Sequence, residues 1–187
     1  MKFVERIWGN DANFEAEQEI LNYGLDMAKT IVLGLIGAFA ISVMMNELFN
    51  GLILLIILMP LRQNAGGYHA KTRIRCSIIS SLIYICALIV IKYAYIGKWG
   101  MLLVFLLAAM VIIKLAPVDN SNNKLDKVEL EVYRDRTRIV LAIESIVFMV
   151  LFMSNLFQYA IIIVTSYLVV AGILVLGLIK NRYRGRS

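Results

Sequence analysis

The chain has 187 residues, of which 60% are hydrophobic and 17% charged. A typical soluble domain is roughly 45–50% apolar and about 25% charged, so this composition excludes a soluble globular protein and indicates an integral membrane protein. Two cysteines exclude a disulfide framework, and the net charge of +6 follows the membrane orientation described below rather than a nucleic-acid partner.

The first 29 residues are richer in acidic than in basic side chains. Asn13 is a suitable cap, and apolar residues recur at helical spacing after it, at Phe14, Leu21, Leu25 and Ala28. The pattern predicts an amphipathic helix, which lies at the membrane interface or packs its acidic face on the protein's own basic loops. We favour the second arrangement. A signal peptide is not expected, because the first strongly apolar run follows an acidic stretch.

Six stretches approach the roughly 20 apolar residues that a spanning helix needs. They are residues 30–46, 48–61, 76–91, 99–113, 139–154 and the second half of 145–179. The second would reach only about 21 Å, so it borrows residues from the adjoining turn, crosses with little tilt, or forms one arm of a re-entrant hairpin with the first. The predicted fold class is an all-α polytopic membrane bundle of six elements.

The basic residues predict the orientation. If all six elements cross, 17 of the 19 Lys and Arg residues fall on one face, and only Lys92 and Lys98 fall on the other. By the positive-inside rule, the crowded face and both termini are cytoplasmic. In the loop that begins at Pro117, turn formers precede a short amphipathic helix that is predicted from Leu125, Val128 and Val132.

We therefore expect residues 1–187 to form one integral membrane domain. Its segments are an amphipathic N-terminal part (1–29), a first hairpin (30–61), a cytoplasmic catalytic segment (62–76), the third and fourth spans (77–113), a cytoplasmic loop (114–138), the fifth and sixth spans (139–179) and a basic tail (180–187).

Segment 62–76 concentrates the residues that could carry chemistry. It contains His69, which is the only histidine, and Cys76, and it follows Pro60, which is predicted to kink or end its helix. Only a thiolate attacks, and neighbouring cations favour it. Gly66 and Gly67 permit positive φ angles and the close approach of a second backbone, and amides exposed there could stabilise an oxyanion.

Geometry constrains the pairing of His69 with Cys76. In a continuous helix their Cα atoms would be about 10 Å apart by rise alone, whereas a nucleophile and its base need roughly 2.6–3.2 Å. The chain must therefore bend or begin a new helix after His69. The alternatives are an interfacial histidine and a cysteine that merely packs.

Two further groups have competing interpretations. Cys86 should lie deep in the membrane as an inert packing residue. Glu144 lies inside the fifth span, where it orients His69, contacts substrate or forms a structural pair with Arg138; we favour the pair. A metal site is not expected, since one His and two distant Cys supply too few ligands.

The motif Arg62-(three residues)-Gly66-Gly67-Tyr68-His69-Ala70, followed by Cys76, resembles that of the accessory gene regulator B (AgrB) family. The resemblance extends to Tyr23-Gly24-Leu25 before the first span and to Ala116-Pro117 after the fourth. Members of this family are membrane endopeptidases of Gram-positive quorum sensing. The loop after Pro117 departs from the family pattern, because it lacks further prolines and is rich in Asn and charge.

The resemblance implies a cysteine peptidase in the bacterial cell membrane. It would cut the C-terminal part of a small propeptide, hold the shortened peptide as a thioester and release it as a cyclic thiolactone or lactone. Cys76 would be the nucleophile and His69 its base, supported by Arg62, Gly66 and Gly67. No cofactor is implied. The partners would be the lipid bilayer and a propeptide with an amphipathic leader and an acidic C-terminal tail, and the apolar span faces leave a homodimer open.

Two other classes of function compete with this one. A small transporter or exporter component would account for Glu144 and the hydropathy, although no inverted repeat is visible. A scaffolding membrane protein would leave His69 and Cys76 without a role. The reactivity of Cys76 and its dependence on His69 distinguish these classes.

Overall fold

The computed structural model describes residues 11–67, 73–118 and 126–184. These residues form six α-helices, α1 (Asp11–Met44), α2 (Leu48–Ala65), α3 (Arg73–Tyr93), α4 (Lys98–Leu115), α5 (Lys127–Met153) and α6 (Phe157–Arg184), and no strand. Helices satisfy every backbone polar group within one segment, which lipid requires of a spanning chain. The predicted all-α membrane bundle of six elements is confirmed.

Four helices are long and apolar enough to cross a membrane. They are Leu48–Ala65, Arg75–Tyr93, Lys98–Leu115 and Phe157–Arg182, and Ala28–Met44 is a shorter apolar helix. α5 carries several charged residues before its apolar part, which begins at Ile139. The chain is therefore a multi-pass membrane protein.

Three helices are longer than predicted. The N-terminal amphipathic stretch and the first span form one helix, Asp11–Met44, and the stretch before the fifth span belongs to α5. α2 continues through Pro60 to Ala65. Of the two alternatives for Pro60, a kink or a helix end, the structure excludes the end. α2 thereby gains the length that the 14-residue estimate lacked. Leu125, and with it the start of the predicted short helix, lies outside the described residues.

The C-terminal ends of α1 and α5 have the same turn conformation. Asn46 and Asn155 have φ angles of 55° and 58°, the left-handed conformation that Asn tolerates better than most residues. After each, the next amide reaches back to the helix, Glu47 to the Ser42 carbonyl at 2.9 Å and Leu156 to the Leu151 carbonyl at 2.9 Å. These bonds satisfy orphan carbonyls and stop α1 and α5 abruptly, so that the next helix begins within a few residues.

α6 is the central helix of the bundle. It contacts α2, α3, α4 and α5, and every residue from Ala160 to Tyr167 is buried. A helix that is buried all round belongs in the core of a bundle. An aromatic stack joins it to two neighbours, since the Phe105 ring lies 3.8 Å from Phe148 and 5.1 Å from Tyr167 between centroids.

The chain divides into two compact units, Met1–Ala38 and Phe39–Ser187. The candidate site lies wholly in the second unit. The prediction of a single membrane domain stays a prediction.

Candidate functional site

Arg62 lies in the last turn of α2, one helical turn before the diglycine. Its Nη1 donates a hydrogen bond to the Gly66 carbonyl, so the guanidinium holds the point at which the chain leaves the helix. Asn64 strengthens the same turn, because its Nδ2 donates to the Pro60 carbonyl at 2.7 Å. The sequence had placed Arg62 in a loop, and the structure places it on a helix.

The diglycine is a tight connection between α2 and the segment after α4. The φ angles of Gly66 and Gly67 are 71° and 108°. The Val118 amide donates to the Ala65 carbonyl at 3.0 Å, and the Gly67 amide donates to the Val118 carbonyl at 3.2 Å. We call this pair of hydrogen bonds the Gly66–Val118 bridge.

Neither glycine has space for a side chain. A Cβ on Gly66 would lie 2.5 Å from the Val118 carbonyl oxygen, and one on Gly67 would lie 3.0 Å from the Ile173 side chain and 3.1 Å from its carbonyl oxygen. The predicted positive φ angles and close backbone approach are therefore present, and the approaching backbone is the protein's own. The Gly67 amide is engaged, so an oxyanion could use it only after the bridge opens.

Cys76 is the fourth residue of α3 and is half-buried. The Arg62 charge and the Cys76 sulfur are close enough to interact electrostatically. A helix N-terminus carries a partial positive charge that also favours an anion.

Cys86 lies in the middle of α3 and is exposed. In a bilayer its thiol faces lipid. It is therefore not packed inside the bundle as the sequence suggested, and it provides a matched control for Cys76.

His69 lies outside the described residues, with the rest of segment 68–72. Its pairing with Cys76 stays a prediction. The geometric condition for that pairing is met, because α2 ends at Ala65 and a new helix begins at Arg73.

The model of the family described as accessory gene regulator B matches residues 2–177. The chain belongs to the AgrB family. No curated protein and no solved structure matches it. AgrB membership implies a part in the accessory gene regulator system of quorum sensing, and the family is associated with propeptide processing.

Glu144 of this AgrB family member has no interaction with Arg62 or Cys76 among the described residues. It is buried, with 9% of its surface exposed, and its Oε2 has no hydrogen-bond partner among the described residues. Arg138 Nη1 lies 3.7 Å from Asp135 Oδ1, and no Arg138–Glu144 contact is present in the described part. The favoured Arg138 pair is therefore wrong, since the two residues are six apart on one helix and face different directions.

Sequence reasoning missed Val118 and Ile173, which enclose the diglycine. Ala116-Pro117 after α4 was the only local signal, since Pro117 ends the helix just before the bridge. Nothing near Ile173 in the sequence indicates a contact with residues more than 100 positions earlier.

Proposed function

We propose that this AgrB family member is a membrane cysteine endopeptidase. It cleaves the C-terminal part of a small quorum-sensing propeptide through an enzyme thioester and releases a cyclic peptide. The observation that supports this best is the position of Cys76, half-buried in the first turn of α3 and within electrostatic range of Arg62. Thiolates are nucleophiles in such surroundings.

In the first step His69 takes the Cys76 proton, and the sulfur attacks the carbonyl carbon of the scissile bond. The carbon–nitrogen bond breaks, and the proton passes to the leaving amine. The N-terminal part of the propeptide stays on Cys76 as a thioester, while the C-terminal part leaves.

In the second step a Cys thiol or Ser hydroxyl of the bound peptide attacks the thioester carbonyl. A new carbon–sulfur or carbon–oxygen bond closes the ring, and Cys76 leaves with a proton. The acyl group passes from the scissile nitrogen to the Cys76 sulfur and then to the ring-closing atom, so the step consumes no ATP. Water must be kept from the thioester, and partial desolvation at the membrane edge favours the internal nucleophile.

Arg62 has two roles in this proposal. Its cation interacts electrostatically with Cys76, and its hydrogen bond to the Gly66 carbonyl fixes the turn at which α2 ends. Gly66 and Gly67 are supporting residues, because their bridge to Val118 fixes the start of the same segment. Glu144 shows no contact with this group among the described residues, and we assign it no part in cleavage.

The propeptide would present its acidic tail to the predicted cytoplasmic face. Exposed cations on the corresponding helix ends include Arg75, Lys114, Arg134, Arg136 and Arg182. Exposed acids lie at or just before the start of α5 as well, at Asp126, Glu129, Glu131 and Asp135. The net positive charge of this face would attract an acidic peptide over the Debye length, about 8 Å at physiological salt. The interaction should therefore weaken as salt is raised.

The orientation is part of the proposal. Lys92 lies at the opposite end of the helices, where its Nζ is 3.3 Å from Glu47 Oε1 and donates to the Met45 carbonyl at 2.9 Å. The Lys98 ammonium lies over the Phe152 and Phe157 rings, at 5.2 and 5.8 Å. The two lysines on the sparse face are thus held by the protein itself, while the exposed cations named above lie on the proposed cytoplasmic face.

Mass spectrometry of a candidate propeptide incubated with the protein in lipid tests the function. The expected N-terminal product is lighter by one water than the plainly hydrolysed fragment. Cys76→Ala should abolish both cleavage and cyclisation, and Cys86→Ala should leave both unchanged. Normal cleavage by Cys76→Ala in membrane-inserted protein would contradict the proposal.

A further inference from the structure

Glu144 occupies a core position of α5. Thr137, Leu141, Glu144 and Phe148 follow at helical spacing, and all four are buried. Glu144 lies about 9 Å along the helix from Arg138, the last cation before the apolar part of α5. Its carboxyl is thus inside both the bundle and the membrane-spanning region.

No cation compensates this carboxyl within the described part of the chain. α5 packs on α2 and α6 and meets α4 through the Phe105–Phe148 stack. The charged residues of those helices lie in their end turns, at Arg62, Lys98, Lys114, Lys180, Arg182 and Arg184. No ion pair joins a described one of these residues to Glu144, whose Oε2 has no hydrogen-bond partner.

Tyr167 of α6 is a polar neighbour of Glu144. It interacts electrostatically with Glu144. Its hydroxyl donates to the Leu141 carbonyl at 3.1 Å and lies 3.4 Å from Ser145 Oγ. Because the phenol proton goes to Leu141, the phenol oxygen keeps a lone pair that can accept a hydrogen bond from a neutral carboxylic acid.

An ionised carboxylate here would be buried without a cation and with one oxygen unpaired. Such a group costs far more than a neutral one, and buried acids respond by keeping their proton. We propose that Glu144 is an intramembrane proton-binding site, a neutral carboxylic acid in the bundle core beside Tyr167.

This site is independent of the proposed peptidase chemistry. Loss of the proton would place a full negative charge at the contact between α5 and α6, beside the aromatic stack that joins α4 to both. Proton binding therefore stabilises the packed arrangement of these helices, and removal of the proton separates them. The ligand of the site is the proton itself.

Infrared spectroscopy of the whole protein in lipid at neutral pH tests the proposal. A protonated carboxyl has a carbonyl band well separated from carboxylate bands, and the wild type should show one such group. Glu144→Gln should remove the band. Glu129→Gln, which changes an exposed acid on the same helix, should leave it in place and remove carboxylate absorbance instead.

Tyr167→Phe should shift the neutral band without abolishing it, because the carboxyl loses a polar neighbour. Glu144→Leu serves the same comparison where Glu144→Gln does not fold, since a neutral site tolerates an apolar residue of similar volume. Absence of the neutral band from the wild type would overturn the proposal. Its persistence in folded Glu144→Gln or Glu144→Leu protein would do so as well.

Discussion

Gly66→Ala tests the bridge that connects α2 to the segment after α4. The substitution puts a methyl group 2.5 Å from the Val118 carbonyl oxygen at a φ of 71°. A non-glycine residue in that backbone region costs about 1–3 kcal/mol, and overpacking adds about 1–3 kcal/mol. The two bridge hydrogen bonds contribute only about 0.5–1.5 kcal/mol each.

The cost therefore equals or exceeds what the bridge contributes, so we expect the bridge to open while the helices remain folded. Hydrogen–deuterium exchange should then be faster at the Gly67 and Val118 amides, and propeptide processing should fall by about tenfold or more. Gly172→Ala is the control, because no atom lies within 4 Å of the added methyl group. Unchanged protection and processing in Gly66→Ala would refute the reasoning.

Three further predictions concern other contacts. Gly51→Ala should lower the free energy of unfolding by about 1–3 kcal/mol, because the added methyl would overlap the Ser42 side chain. Gly37→Ala, whose methyl would have no atom within 4 Å, should not, and equal melting of the two variants would contradict this. Arg62→Gln should lower propeptide processing by about tenfold or more, because the Gly66 carbonyl loses its donor and a hydrogen bond to a charged group contributes about 1.5–3 kcal/mol; unchanged processing would remove this positioning role. Lys98→Met should lower the free energy of unfolding by less than about 1 kcal/mol, measured by thermal melting. A larger decrease would show that the two cation–ring contacts are desolvated.

The helix count and class follow from the sequence because apolar runs of spanning length are a strong local signal. The ends of the helices are predicted less accurately than their number. Charged residues in the sequence predict helix boundaries, but Arg62 lies within α2, and the charged residues before Ile139 lie within α5. A helix does not stop at the membrane edge, because its backbone bonds continue wherever no breaker intervenes.

The site was predicted in part. The motif predicts Gly66 and Gly67 as site residues with positive φ angles, and those angles are confirmed. Val118 and Ile173 were not foreseen, because they reach the diglycine through packing of distant helices. The Glu144–Arg138 pair was wrong, since proximity in sequence hid their different helix faces.

Capture of the acyl-enzyme tests the central claim most directly. A propeptide whose ring-closing Cys or Ser is replaced by Ala cannot cyclise, so its thioester should accumulate on the protein in lipid. Peptide mapping should find a hydroxylamine-sensitive adduct on Cys76 in wild type and in Cys86→Ala, and none in Cys76→Ala. Cleavage without any adduct on Cys76 would contradict the account.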